Sequence, residues 1–166
     1  MKDFKNDIKL ARSGDTEAFA RLYTIVYKQM YHTALYNLRN ADDACDAVSE
    51  TVIDAFTGMK NLKNEDAFKS WIMKILFTKI KQKQKEYINA GHELDENVKT
   101  EDFDFQNAEL NEALNKLDSE SKAILSLSVL GGYKSEEISK IFGIKASTVR
   151  SRLARIKKQL KVDLTV

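Results

Sequence analysis

Residues Tyr133–Lys161, YKSEEISKIFGIKASTVRSRLARIKKQLK, constrain the fold most, because they spell two helical patterns joined by a tight turn. Ser135 is the expected N-cap of the first helix, its hydroxyl positioned to accept from a first-turn amide. Glu136 and Glu137 put negative charge at that helix's positive end. Ile138, Ile141 and Phe142 form its apolar stripe, and Gly143 stands where a left-handed residue would end it. In the second pattern Val149, Leu153, Ile156 and Leu160 fall at i, i+4, i+7 and i+11, one buried face. The opposite face carries Ser147, Arg150, Ser151, Ala154, Arg155 and Lys158. A helix-turn-helix with a small, polar and basic outward side follows from this pattern.

Charge sharpens the reading. Lys145 to Lys161 carries a net +7 with no acid. Packing a core gains nothing from so many cations, whereas a helix in a major groove uses them against phosphates. A solvated basic helix is the bland alternative, and it leaves the glycine turn and first stripe unexplained. Lys60 to Glu86 is a second basic stretch, net +5, and Asn89 to Glu120 between them is net −8. Two basic elements around an acidic connector suggest two contacts with nucleic acid.

The rest of the chain reads as helix. Its 166 residues contain no proline and only six glycines, so little obstructs helical segments. Phe4, Ile8 and Ala11 open amphipathically, and Asp15 caps a long helix with Phe19, Leu22, Tyr23, Val26, Tyr27 and Met30 as core. A further helix begins at Asn40 or Ala41, with Ala44, Ala47, Val48, Thr51, Val52, Ala55 and Phe56 expected inside. Its other side carries Asp43, Asp46, Glu50 and Asp54, without lysines at i+4 to offset them. Either this is a solvated acidic face or it docks a basic partner.

A loop is expected over Thr57–Asn64. Beyond it Phe68, Trp71, Ile72, Ile75, Leu76 and Ile80 make an apolar stripe that runs on into KQKQKE. Lys74, Lys81 and Lys85 share one side of this helix, suited to a phosphate backbone. Phe77 and Tyr87 are candidates for stacking on unpaired bases, with partial core as the plainer role. Periodicity lapses between Asn89 and Asn107, where a linker is expected. It returns in two helices, the second capped by Asp118 or Ser119 and closed by Gly131-Gly132.

Other classes find little support. The lone Cys45 cannot form an internal disulfide, which fits a reducing compartment. No apolar run reaches the ~18 residues of a membrane span, and the charged N-terminus lacks a signal peptide's apolar segment. His32 and His92 have no ligand partners in the pattern, so neither metal nor cofactor is expected. No nucleophile, metal or phosphate loop accompanies the carboxylates, so the chain is not read as an enzyme.

In order, these pieces resemble the extracytoplasmic-function (ECF) sigma factors, the small two-domain branch of the bacterial sigma superfamily. Asp43-Ala44-Cys45-Asp46-Ala47-Val48-Ser49-Glu50-Thr51-Val52-Ile53 is similar to the family's D-A-E-D-L-V-Q-E-x-F-L helix. Phe68, Trp71, Ile72 and Ile75 match F-x-x-W-L-x-x-I. Glu136 to Ile144 and Thr148 to Leu160 match the two halves of its region-four motif. The resemblance implies an all-α fold of two small helical domains: region two over 1–88, a flexible acidic linker over 89–107, and region four over 108–166.

It also implies roles. Asp43, Asp46, Ser49, Glu50 and Asp54 would dock on the clamp helices of the largest subunit of core RNA polymerase, with region four reaching the flap. Lys60, Lys63, Lys74, Phe77, Thr78, Lys81 and Lys85 would melt and hold the −10 element. Ser147, Thr148, Arg150, Ser151, Arg152, Ala154, Arg155 and Lys158 would read the −35 element. The expected partners are promoter DNA, core polymerase and a membrane-anchored anti-sigma factor. The free protein would be a cytoplasmic monomer, brought to the inner face of the membrane by that anti-sigma factor. The rivals are a helix-turn-helix regulator that binds promoters without polymerase and a helical interaction protein that binds acidic proteins or RNA.

Overall fold

The computed structural model describes residues 4–91 and 108–164, with side chains over 4–91 and 112–163. From residue 92 onward the expected linker, including His92, lies outside the described residues. The described residues form eight α-helices: α1 (Phe4–Arg12), α2 (Thr16–Leu38), α3 (Ala41–Gly58), α4 (Phe68–Asn89), α5 (Ala108–Asn115), α6 (Ser119–Val129), α7 (Ser135–Phe142) and α8 (Ala146–Leu164). No strand occurs among the described residues.

Capping chemistry sets several starts. The Asp15 carboxylate accepts from the Glu17 and Ala18 amides, both at 3.0 Å, and so opens α2. Asn40 accepts from the Asp43 amide at 3.0 Å to open α3, and Asp118 from the Ser121 amide at 2.7 Å to open α6. Two local expectations fail. Ser135 is the first residue of α7 rather than its cap; the Glu137 carboxylate instead reaches back to the Lys134 amide at 3.1 Å. The loop expected at Thr57–Asn64 is shorter, because α3 continues to Gly58 and a 3-10 turn covers Met59–Asn61.

Helices α1 to α4 form the first half. Ile8, Leu22, Met30, Ala47, Phe68, Ile72 and Leu76 lie at its centre. The Arg21 guanidinium grips Asp7, only 5% exposed, with Nη2 to Oδ1 at 2.8 Å, tying α1 to α2. In the second half Leu114, Leu117, Leu125 and Ile156 join α5, α6 and α8 in a small separate cluster. The larger core does not stop at the first half. Ala123, Ile124, Leu127, Tyr133, Ile138, Ile141 and Val149 belong to the same apolar cluster as the helices of the first half. Helix α2 packs on α6, and α4 packs on α7.

Candidate nucleic-acid and partner interfaces

The helix-turn-helix is α7, the turn at Gly143, and α8. Gly143 is left-handed (φ 68°), and the amides of Gly143 and Ile144 both donate to the Ser139 carbonyl, at 2.9 and 3.2 Å. A residue with a Cβ would be strained there. Helix α8 turns Val149 and Ile156 inward, with Leu153 and Leu160 half-buried. Ser147, Arg150, Ser151, Ala154, Arg155 and Lys158 are exposed together on the outer face, as the spacing predicts.

Two members of the predicted −35 set behave differently. Thr148 is half-buried, and Arg152 bends back to Glu120 on α6, an ion pair that fixes α8 to its own module. Glu120 holds the Arg152 guanidinium above its ordinary range. Arg150 meets Glu136 at 3.2 Å with both side chains more than half exposed, so this pair can yield to a phosphate or a base.

On α4, Lys74, Thr78, Lys81 and Lys85 recur at i, i+4, i+7 and i+11 and form one exposed edge. The Thr78 hydroxyl donates to the Lys74 carbonyl at 3.0 Å. Lys60 and Lys63 are exposed in the connection before α4. Phe77 does not join them. It is 3% exposed, with its ring edge-to-face against Phe142 of α7 at 4.9 Å between centroids. The Lys81 ammonium sits 5.8 Å from the same Phe142 ring. In this arrangement Phe77 cannot stack on a base. The second half supplies the cover, which a pattern read helix by helix could not show.

The acidic line on α3 is present, but it has counterions. Asp54 pairs with Lys79 at 2.7 Å, and Lys83 lies 3.4 Å from Glu50 and 4.0 Å from Asp46. The lysines come from α4, across the helix pair, so an i+4 count within α3 could not find them. Hydrogen bonding to Asp54 raises the Lys79 ammonium above its ordinary range, more than its partial burial lowers it. Asp46, Glu50 and Asp54 keep an outer edge in solvent. Ser49 is exposed beside them, and Asp43 is half-exposed in the first turn.

Apolar groups missing from the sequence-based site accompany this edge. Ile53 is 64% exposed and Phe56 38%, the latter against expectation. Phe56 leans edge-on against Phe19, 5.2 Å between centroids, at the rim of the core. Ile53 could have been found from its number alone, since it falls off the Ala44–Val48–Thr51–Ala55 stripe. Tyr27, expected inside, is also exposed. Tyr23, Tyr27 and Tyr31 stack along the side of α2, one step around from the buried Leu22, Val26 and Met30.

No group of three or more His, Cys, Asp or Glu side chains suited to a metal occurs among the described residues. No described helix is long and apolar enough to cross a membrane.

The comparisons with known proteins bear on both halves. Residues 107–160 match the family model for region 4 of sigma-70, from α5 through most of α8. Over 142 residues the chain is 29% identical to the RNA polymerase sigma factor SigV of Bacillus subtilis, covering 83% of this chain and 86% of that protein. It is 25% identical over 152 residues to the ECF RNA polymerase sigma factor SigM of Mycobacterium tuberculosis, covering 89% and 78% respectively.

Two solved structures share the fold. CnrH in complex with the cytosolic domain of CnrY has TM-score 0.77 and 20% identity, over 97% of this chain and 96% of that one. The sigma factor RpoE bound to the anti-sigma factor NepR, from Bartonella quintana, has TM-score 0.74 and 20% identity, over 91% and 99%. With the region-four match at one end and relatives spanning both halves, the chain is similar to ECF sigma factors along most of its length, and the two solved structures share its all-helical fold.

Proposed function

We propose that this protein binds core RNA polymerase through α3 and directs it to promoters read by two modules, α4 at the −10 element and α8 at the −35 element. The first module spans 1–88 and the second 108–166, with 89–107 as the connector. One observation carries the reading. A basic, outward-facing recognition helix shares its chain with a half-neutralised acidic edge, Asp46, Glu50 and Asp54, beside the exposed Ile53. A helix-turn-helix regulator acting alone would leave that edge and Ile53 without a use. A basic partner surface with an apolar patch would have the complementary chemistry, and the family resemblance implies the clamp helices of the largest subunit as that partner.

The roles divide by physics. Duplex sequence is read by side chains in a groove, the task of Arg150, Ser151, Ala154 and Arg155, while Lys158 and Ser147 hold phosphates. A melted strand is held by backbone charge and stacking, the task of Lys60, Lys63, Lys74, Thr78, Lys81 and Lys85. RpoE of Bartonella quintana is held by an anti-sigma factor, NepR, and an anti-sigma partner is proposed here too. If that partner is membrane-anchored, it would draw the protein to the inner face of the membrane.

The test is capture of purified core polymerase by the full chain. Charge reversal at Asp46 and Glu50 would set new cations against Lys83 and disturb the α3–α4 seam, so Asp46→Asn/Glu50→Gln is the gentler variant, with Ile53→Ser as a second. Strong capture by wild type and weak capture by both variants are expected. Unchanged capture by folded variants would remove α3 as the dock.

A further inference from the structure

Phe142 contacts α4 twice at once, at Lys81 on the edge assigned above to the −10 strand and at the buried Phe77 beside it. Its ring meets Phe77 edge-on, 4.9 Å between centroids, and the Lys81 ammonium lies 5.8 Å from it. Phe142 belongs to the helix-turn-helix, at the last position of α7. One module therefore covers the stacking candidate of the other. We propose that the closed arrangement is an autoinhibitory latch in which Phe142 occupies the place of an unstacked base, and that the second half must swing away before α4 can hold the −10 strand.

The rest of the seam mixes the apolar cluster of Ile124, Leu127, Ile138 and Ile141 with exchangeable hydrogen bonds. Gln29 donates to the Gly131 carbonyl at 3.0 Å, and the Tyr133 hydroxyl donates to the Gln29 side-chain oxygen at 3.2 Å. Asn37 donates to the buried Ser126 hydroxyl at 3.3 Å. The Ser119 hydroxyl donates to the Gln84 side-chain oxygen at 3.2 Å. These polar groups satisfy one another while closed and can exchange to water when open, so parting leaves no buried donor stranded. An all-apolar seam would oppose opening more strongly. Apolar anchoring remains where Phe142, Ile138 and Ile141 belong to the cluster shared with α4. The seam thus combines an aromatic plug and a shared apolar cluster with a row of exchangeable hydrogen bonds, and opening must expose that cluster.

The latch rests on the −10 reading of α4, and its test separates the two. In a Cys45→Ser background, Gln84→Cys/Ser119→Cys places two thiols at an exposed contact of the seam, and a short bis-thiosulfonate reagent joins them reversibly. Binding of the full chain to a fluorescent single-stranded −10 oligonucleotide is measured joined and after reduction. Where a closed form holds ~90% of free molecules, apparent affinity is about tenfold below that of a fully open protein, and joining removes the remaining open fraction and lowers it further. A joined protein that binds at least tenfold more weakly, and recovers on reduction, supports the latch. Phe142→Ala, checked for unchanged helix content, should bind more tightly than wild type. Equal binding joined and reduced, or no gain for Phe142→Ala, overturns the latch and leaves the −10 reading standing. No oligonucleotide binding by any form overturns both.

Discussion

Gly131 shows how one atom can decide a local structure. A Cβ there would stand 2.6 Å from the Tyr133 ring and 2.9 Å from the Leu127 carbonyl oxygen. Gly131→Ala should destabilise the protein by about 1–3 kcal/mol through overpacking, and a melting curve matching wild type would contradict that crowding. Trp71 belongs to the same scale. It is only half-buried, against Phe68 and the space over Gly58, so Trp71→Ala should cost about 2–3 kcal/mol, less than a fully buried ring. Phe68, with no exposed surface, should cost about 3–5 kcal/mol on truncation to Ala. Thermal unfolding of the two variants should rank them in that order. Asp118 adds a pH dependence: the Ser121 amide, its first cause, lowers the carboxyl below its ordinary value against the opposing effect of burial. A depressed folded value means stability is full above about pH 4 and is lost as pH falls further, through the folded value. Asp118→Asn should flatten that acid limb in circular dichroism.

The elements differ in how much of them the sequence made legible. Helix α8 was readable almost whole, because its buried stripe, outer cations and glycine turn are all local. Helix α3 was half-readable: its carboxylates stand where the spacing puts them, yet Lys79 and Lys83, which balance them, arrive from another helix. Phe56 and Tyr27 were misplaced for a related reason, since a stripe's edge residue is buried only if a neighbour covers it. The α3–α4 ion row predicts modest, salt-sensitive coupling. Lys83→Gln should change stability by less than about 1 kcal/mol at low salt and by less still at high salt. It should also leave Asp46 and Glu50 freer to dock, so core-polymerase capture should tighten. Weaker capture by the folded variant would assign Lys83 to the interface itself.

At the scale of the molecule, charge segregation marks two basic elements, the ones proposed to meet nucleic acid, and the family resemblance orders them along the chain. How the halves meet was not legible. Nothing in period or motif marks Phe77 as the partner of Phe142, Gln29 of Tyr133, or Asn37 of Ser126, and these contacts span about a third to two thirds of the chain. That seam is where the account differs most from a reading of two independent modules. It also changes the meaning of Phe77, which is a covered residue when the halves are closed. The proposed recognition belongs to this scale, because it assigns one promoter element to each half. Arg150→Ala or Arg155→Ala should weaken initiation by about 1–3 kcal/mol at promoters whose −35 base it contacts, while a uniform loss across promoters would assign it to phosphate. Promoter direction by this protein is tested by run-off transcription of fragmented genomic DNA with core polymerase, with and without it. The account predicts new start sites that appear only with the protein and share two short motifs at a fixed spacing. Transcripts unchanged by adding a folded protein that binds core polymerase would contradict it.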